Sequence, residues 1–174
     1  MSSSKHPVLF AFIDSQNLNL GTSKNIYRNG KIVYQGWKLD MKNFHQYLTK
    51  KLRVKKAFLF LGYIAKNKKM YDKFKKYGYE IIFKPTVMGE KGKPKGNIDA
   101  ELVLYSSAIL YREYDLGVFV SGDGDFYCLY KFMEEKKKLK SVLIPNIHTK
   151  SRLLQPFHRY CKYLYRDKVL LEKK

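Results

Sequence analysis

The amino-acid sequence predicts one α/β domain with a doubly wound, mostly parallel sheet flanked by helices. Short, continuously apolar runs recur along the chain, and such runs are typical of strands that are buried on both faces. Helical patterns separate these runs, so strand and helix alternate. The chain has 174 residues, which suits one core better than two, so we expect a single domain over residues 1–174 with its core at about 7–165.

Five apolar runs are the predicted strands of the sheet. None of them contains a charged residue, and none alternates apolar with polar positions as a half-exposed strand would. They are Val8 to Ile13, Ala57 to Leu61, Ile81 to Phe83, Gly117 to Val120 and Val142 to Ile144. Strands of this kind require helices on both faces of the sheet.

Four segments between or after these strands have apolar residues at helical spacing. They are Met41, Phe44 and Leu48 after a capping Asp40; Met70, Tyr71, Phe74 and Tyr77 after Asn67; Ile98, Leu102, Tyr105 and Ile109 after Asn97; and Phe126, Leu129, Tyr130 and Met133 after a Gly-Asp-Gly-Asp turn. Two stretches interrupt the alternation: residues 15–38, interpreted as a long polar insertion, and residues 85–96, rich in Lys, Gly and Pro. The tail from Ser151 predicts a short helix and a last strand.

The net charge of +20 is the strongest compositional signal. Folding does not need this excess, so it favours a polyanionic partner, and nucleic acid is the natural one. The longest apolar runs are too short to cross a bilayer, and the N-terminus carries no export signal, so we expect a cytoplasmic protein without a membrane partner. The sequence leaves the oligomeric state open.

Four aspartates are the candidate metal ligands. Asp14 ends the first predicted strand, Asp123 and Asp125 follow the fourth, and Asp99 begins a helix. Each taken alone has an ordinary explanation as a turn or helix-capping residue. If the first and fourth strands are neighbours, however, all four carboxylates converge in the crevice at the carboxyl ends of the strands. Such a group repels itself unless cations hold it, and an oxygen-only site favours Mg²⁺ or Mn²⁺.

Further residues are assigned to the same site. Asn17 and Ser121 are close enough in sequence to the aspartates to orient a water or a phosphate, although both are also common turn residues. The candidate nucleic-acid contacts lie in the two interrupting stretches. In residues 85–96 they are the lysines Lys91, Lys93 and Lys95. In residues 15–38 they are the rings of Tyr34 and Trp37, which we expect to stack on unpaired bases.

Three motifs carry a family resemblance: FIDSQNL at the start, KGNIDAELVLY in the middle and VFVSGDGDF later. In this order and spacing they resemble the NYN domain family, and more closely its LabA-like (DUF88) branch in the PIN-like nuclease superfamily, over about residues 7–165. The resemblance implies a PIN-like α/β/α sandwich, a Mg²⁺- or Mn²⁺-dependent nuclease and action on RNA rather than DNA. The family's acidic positions fall on Asp14, Asp99, Asp123 and Asp125, with Asn17 beside them.

The chain departs from the family pattern at two places. Tyr105 stands where many relatives have an Asp, and the segment Ser151 to Leu154 also lacks the late acidic residue. These departures keep a second hypothesis open, a nucleic-acid binding module with a weak or inactive centre. A phosphatase is a poor third hypothesis, because Ser15 and Gln16 follow Asp14 where the phosphatase motif requires an acid two residues on.

Overall fold

The structure of the protein is a computed structural model that describes residues 6–84 and 98–174 in full, and between them only the backbone of residues 87–88 and 94–95. The strands are β1 (Leu9–Asp14), β2 (Ile26–Arg28), β3 (Lys31–Tyr34), β4 (Val54–Gly62), β5 (Tyr79–Lys84), β6 (Val87–Met88), β7 (Pro94–Lys95), β8 (Leu116–Val120), β9 (Leu139–Ile144) and β10 (Cys161–Tyr163). The α-helices are α1 (Ser15–Ser23), α2 (Met41–Gln46), α3 (Lys68–Tyr77), α4 (Asp99–Leu104), α5 (Tyr127–Glu135) and α6 (Lys168–Leu171).

Six strands form one parallel sheet in the order β10-β9-β8-β1-β4-β5. The chain therefore starts in the middle of the sheet, builds outward through β4 and β5, and then returns to build the other half through β8, β9 and β10. This reversal places β1 and β8 side by side, with Ile13 opposite Val120. The predicted doubly wound sheet and the predicted neighbourhood of its first and fourth strands are both confirmed.

The core lies in two layers because successive side chains of a strand point to opposite faces. In β1, Ala11 and Ile13 pack on the side of α1, α2 and α3, whereas Phe10 and Phe12 pack on the side of α4 and α5. On the second face the ring of Phe12 lies 5.3 Å from that of Phe119, centroid to centroid. The strand is buried along its whole length, which explains its uninterrupted apolar sequence.

The four predicted helices are confirmed, with their starts and ends set by local chemistry. Asp40 caps α2, since its Oδ1 accepts hydrogen bonds from the backbone N–H groups of Lys42 and Asn43, at 2.8 and 3.0 Å. Helix α3 ends at Gly78, whose φ of +104° is a left-handed conformation that suits glycine. In the described residues no helix is both long and apolar enough to span a membrane.

The interpretation of residues 15–38 as an insertion is wrong. The chain enters α1 directly from β1 and then forms the antiparallel hairpin β2–β3. Helix α1 buries only Leu18, Gly21 and Thr22, a face too sparse in apolar residues to be visible in the sequence. The tail was predicted correctly: a 3₁₀ segment over Arg152–Tyr160 leads into β10.

Candidate metal centre at the carboxyl edge of the sheet

The site begins with Asp14, the last residue of β1 and the capping residue of α1. Its Oδ1 accepts the backbone N–H of Asn17 at 2.9 Å, and its Oδ2 accepts the hydroxyl of Ser121 at 3.2 Å. Only 4% of the residue is exposed. The strand end and the first turn of the helix together fix this carboxylate at the switch point of the sheet, where doubly wound proteins bind their ligands.

Burial is the main cause that raises the pKa of Asp14, to about 6 from its ordinary 3.8. The N–H of Asn17 lowers the pKa, the negative charge of Asp99 raises it, the Ser121 hydroxyl lowers it and Asp123 raises it further. Near neutral pH the protein therefore holds a charged carboxylate in an unfavourable position. A cation in the cleft would relieve both the desolvation and the repulsion.

The loop after β8 places the next two carboxylates. The Oδ1 of Asp123 accepts the N–H of Asp125 at 3.0 Å and so caps a short 3₁₀ turn, Gly124–Phe126. The backbone N–H of Asp123 in turn donates to the Ser121 hydroxyl oxygen at 3.2 Å. Ser121 is buried and its hydroxyl links Asp14 to the loop, so it fixes the relative positions of the two acids.

Asn17 connects α1 to the same loop. Its side-chain oxygen accepts the backbone N–H of Gly122 at 2.9 Å. The carbonyl oxygen of Gly122 accepts the N–H of Ser151 at 2.9 Å, which ties the loop to the C-terminal 3₁₀ segment. Asn17 lies in the site as expected, but its amide oxygen is occupied by the protein itself and holds the loop in place.

Asp99, Asp123 and Asp125 form a cluster. Each offers a carboxylate oxygen, and these oxygens all lie within 4.8 Å of one another. Asp99 and Asp123 are half-buried, and Asp125 is exposed. Oxygen-only ligands at this spacing suit a hard divalent cation such as Mg²⁺ or Mn²⁺, so the donor chemistry fits the predicted metal.

The four aspartates line one cleft of about 570 Å³. The other residues that line it come from α1, the segment after α1 and the loops nearby: Gln16, Asn17, Leu20, Gly21, Lys24, Ile26, Ile98 and Thr149. Among the described residues that line the cleft, Lys24 is the one with a basic side chain; it is exposed and forms no ion pair with any described acid. Sequence reasoning missed Lys24, because it lies in the stretch that was interpreted as a loop insertion.

Two predicted nucleic-acid contacts are wrong. Tyr34 and Trp37 are only 6% and 4% exposed and belong to the core, so neither ring is available as an open stacking platform. The indole N–H of Trp37 donates to the hydroxyl of Tyr34 at 2.7 Å, which satisfies its polar atom inside the protein. The lysines predicted to bind nucleic acid lie outside the described residues, Lys95 being described only in its backbone: Lys91, Lys93 and Lys95.

The positions that depart from the expected acidic pattern have structural roles. The ring of Tyr105 packs edge-on against Phe60, with centroids 5.7 Å apart. Ser151 accepts the N–H of Leu153 and caps the C-terminal 3₁₀ segment. Glu101 forms an ion pair with Lys84, Oε2 to Nζ at 3.4 Å, and is not among the residues that line the cleft. Among the described residues, the acids that line the cleft are therefore Asp14, Asp99, Asp123 and Asp125.

Comparisons with known proteins give a family match and a shared fold. The sequence model of the NYN domain matches residues 9–164. A solved structure of a protein of unknown function from Vibrio parahaemolyticus superimposes with a TM-score of 0.71 over 94% of this chain and 96% of that chain, at 21% sequence identity. At that identity the likeness establishes the shared fold. Comparison with curated proteins gave no match.

Proposed function

The chain belongs to the NYN domain family, and from this membership and the acidic cleft we propose that it is a metal-dependent nuclease that hydrolyses phosphodiester bonds of RNA. The family suggests a nuclease of the PIN-like kind, and its members act on nucleic acid, generally RNA. The three sequence motifs favour its LabA-like branch. The expected cofactor is Mg²⁺ or Mn²⁺.

The observation that carries the proposal is the convergence of the carboxylates of Asp14, Asp99, Asp123 and Asp125 in one cleft of a protein with a net charge of +20. Acids are scarce in this chain, 15 against 35 basic residues, so four at one edge are costly unless they hold a cation. We assign the cation to Asp99, Asp123 and Asp125, and Asp14 lines the same cleft without belonging to the cluster of three.

A bound divalent cation supplies the positive charge that neutralises a phosphate and lowers the pKa of the attacking water. The chain's own residues provide the frame. Ser121 and the N–H of Asn17 hold the carboxylate of Asp14, and the side chain of Asn17 holds Gly122 so that the loop keeps its shape. We therefore assign Asn17 and Ser121 as positioning residues.

Lys24 has the chemistry to bind the substrate. It stands at the end of α1 on the rim of the cleft, where an ammonium group attracts a phosphate that the carboxylates alone would repel. The apolar residues Leu20 and Ile26 also line the cleft. A phosphodiester bound in this cleft would be near both Lys24 and the three carboxylates that would hold the cation.

A nucleic-acid binding module with an inactive centre is the second candidate. The observation that favours it is Tyr105, which fills an expected acidic position with a ring packed on Phe60. Both candidates predict binding, and only the nuclease predicts metal-dependent cleavage.

The deciding experiment incubates the purified protein with end-labelled single- and double-stranded RNA and DNA in Mg²⁺, Mn²⁺ or EDTA. We expect cleavage of RNA with metal and none with EDTA, and we expect Asp99→Asn to abolish it because the cluster loses a charged ligand. Asp72→Asn is the matched control, since Asp72 is an exposed helix residue paired with Lys68 at 2.8 Å, away from the cleft. Binding without cleavage under every condition would favour the binding module, and cleavage that survives Asp99→Asn would contradict the proposed centre.

A further inference from the structure

A second cavity, of about 1040 Å³, lies on the other side of α1 from the acidic cleft. It is bounded by α1, by residues 36–41 and by α3, and the carboxyl half of β4 forms its floor through Leu59 and Leu61. Gln16, in the first turn of α1, lines both this cavity and the acidic cleft. The two spaces are therefore neighbours that share one lining residue.

The two helical walls of this cavity differ in chemistry. Helix α3 contributes Met70, Phe74 and Tyr77, which recur at helical spacing on one face and are left partly uncovered, Met70 being 40% exposed. Helix α1 contributes the amide side chains of Gln16 and Asn19, which are exposed and make no hydrogen bond to any described residue. An apolar, partly aromatic wall thus faces a wall of amide donors and acceptors.

The rim of the cavity is basic. Lys38, Lys73 and Lys173 line it, are exposed, and form no ion pair with the acids that the structure describes. Asp40 also lines it, but the Oδ1 of Asp40 accepts the N–H groups at the start of α2. A ligand with a flat apolar body, polar edges and negative charge matches the two walls and the rim together.

We infer that this cavity binds an unpaired base of the same strand whose phosphodiester lies in the acidic cleft. The base stacks against Phe74 and Tyr77, its polar edge meets Asn19, and the lysines hold the flanking phosphates. Because Gln16 lines both spaces, one strand can contact the cavity and the cleft on either side of this residue. The inference rests on the proposed function and adds a substrate class, single-stranded nucleic acid, since a base inside a duplex is held in its stack.

Trp37 provides a direct readout of this cavity. It is the single tryptophan of the chain, it lines the cavity, and its ring is anchored by the hydrogen bond to Tyr34. An occupant of the cavity would lie next to Trp37 and is therefore expected to change its fluorescence. Excitation beyond the absorption of the nucleotide avoids interference.

The test titrates the full chain in EDTA with each of the four ribonucleoside 5′-monophosphates and with two equal-length single-stranded oligoribonucleotides, one carrying a central abasic site. We expect a saturable fluorescence change with a nucleotide and weaker binding of the abasic strand. Asn19→Leu and Lys73→Glu should each weaken nucleotide binding by about tenfold, because a base contact or a phosphate contact is lost. Gln46→Leu and Lys69→Glu are matched controls on exposed helix positions outside the cavity and should leave binding unchanged.

Two results would overturn the inference: no fluorescence response to any nucleotide, or equal binding by the cavity variants and their controls. Cleavage assayed with Mn²⁺ on the same preparation separates this inference from the proposed function. Cleavage without a Trp37 response would remove the base site and leave the nuclease, whereas a Trp37 response without cleavage would remove the nuclease and leave the base site.

Discussion

Replacing Asp14 with Asn should stabilise the metal-free protein at neutral pH, and the effect should fade in acid. The pKa of Asp14 is raised from 3.8 to about 6, so the folded protein binds this proton more tightly than the unfolded chain does. The stabilisation from that proton is complete below pH 3.8 and is lost as the pH rises through 6. The difference in pKa, about two pH units, corresponds to about 3 kcal/mol in the free energy of unfolding. The Asn side chain keeps the shape and removes the charge.

The expected gain from Asp14→Asn is about 3 kcal/mol at pH 7.5 and about 1 kcal/mol at pH 4.5. The assay is urea unfolding of wild type and variant in EDTA at both pH values. The two proteins are compared at the same pH, so that the contributions of all other titrating groups to the free energy of unfolding cancel. Glu135→Gln is the control, because Glu135 is an exposed carboxylate on α5 away from the cleft. A gain that is absent, or equal at both pH values, would show that burial and the neighbouring acids do not raise the pKa of Asp14.

The remaining predictions concern binding and packing. Trp37→Ala should lower the free energy of unfolding by about 3–5 kcal/mol in urea, because it empties a buried position; lost RNA affinity at unchanged stability would contradict its place in the core. Lys24→Glu should weaken metal-free binding of single-stranded RNA and reduce its salt dependence, measured by fluorescence anisotropy at stepped KCl; equal affinity would remove Lys24 from the substrate path. Combined charge reversal of Lys91, Lys93 and Lys95 should reduce the same salt dependence, and an unchanged slope would remove that segment from the interface.

The sheet and the convergence of the acids could be predicted from the sequence because both follow from simple regularities. Strands buried on two faces are apolar throughout, and the ends of parallel strands meet at one edge. Asp14 and Asp123 were therefore expected to meet if β1 and β8 are neighbours. In the structure the two strands are paired, and both aspartates line one cleft. The cap at Asp40 likewise depends on residues next to it in the sequence.

The predictions that were wrong concern features that depend on packing between residues far apart in the sequence. Helix α1 buries few apolar residues, so its position against the sheet leaves almost no periodic signal. Trp37 was expected to be accessible because its neighbours in the sequence are mostly polar. In the structure it packs in the core layer that contains Ile13 and donates a hydrogen bond to Tyr34, contacts that leave no recognisable pattern in the sequence. Lys24 lines the cleft because it directly follows α1, so its position could not be predicted without that helix.

We expect the clustered carboxylates of Asp99, Asp123 and Asp125 to hold a divalent cation. A ligand that binds only the folded protein raises its melting temperature, so Mn²⁺ should stabilise the wild type relative to EDTA. Asp123→Asn removes one carboxylate of the cluster and one source of repulsion toward Asp14. The decisive measurement is a set of four melting curves, wild type and Asp123→Asn, each with EDTA and with Mn²⁺. We expect a Mn²⁺-dependent rise for wild type and a much smaller one for the variant, whose metal-free form should melt no lower than wild type. Equal Mn²⁺ shifts in both proteins would contradict a cation site at these carboxylates.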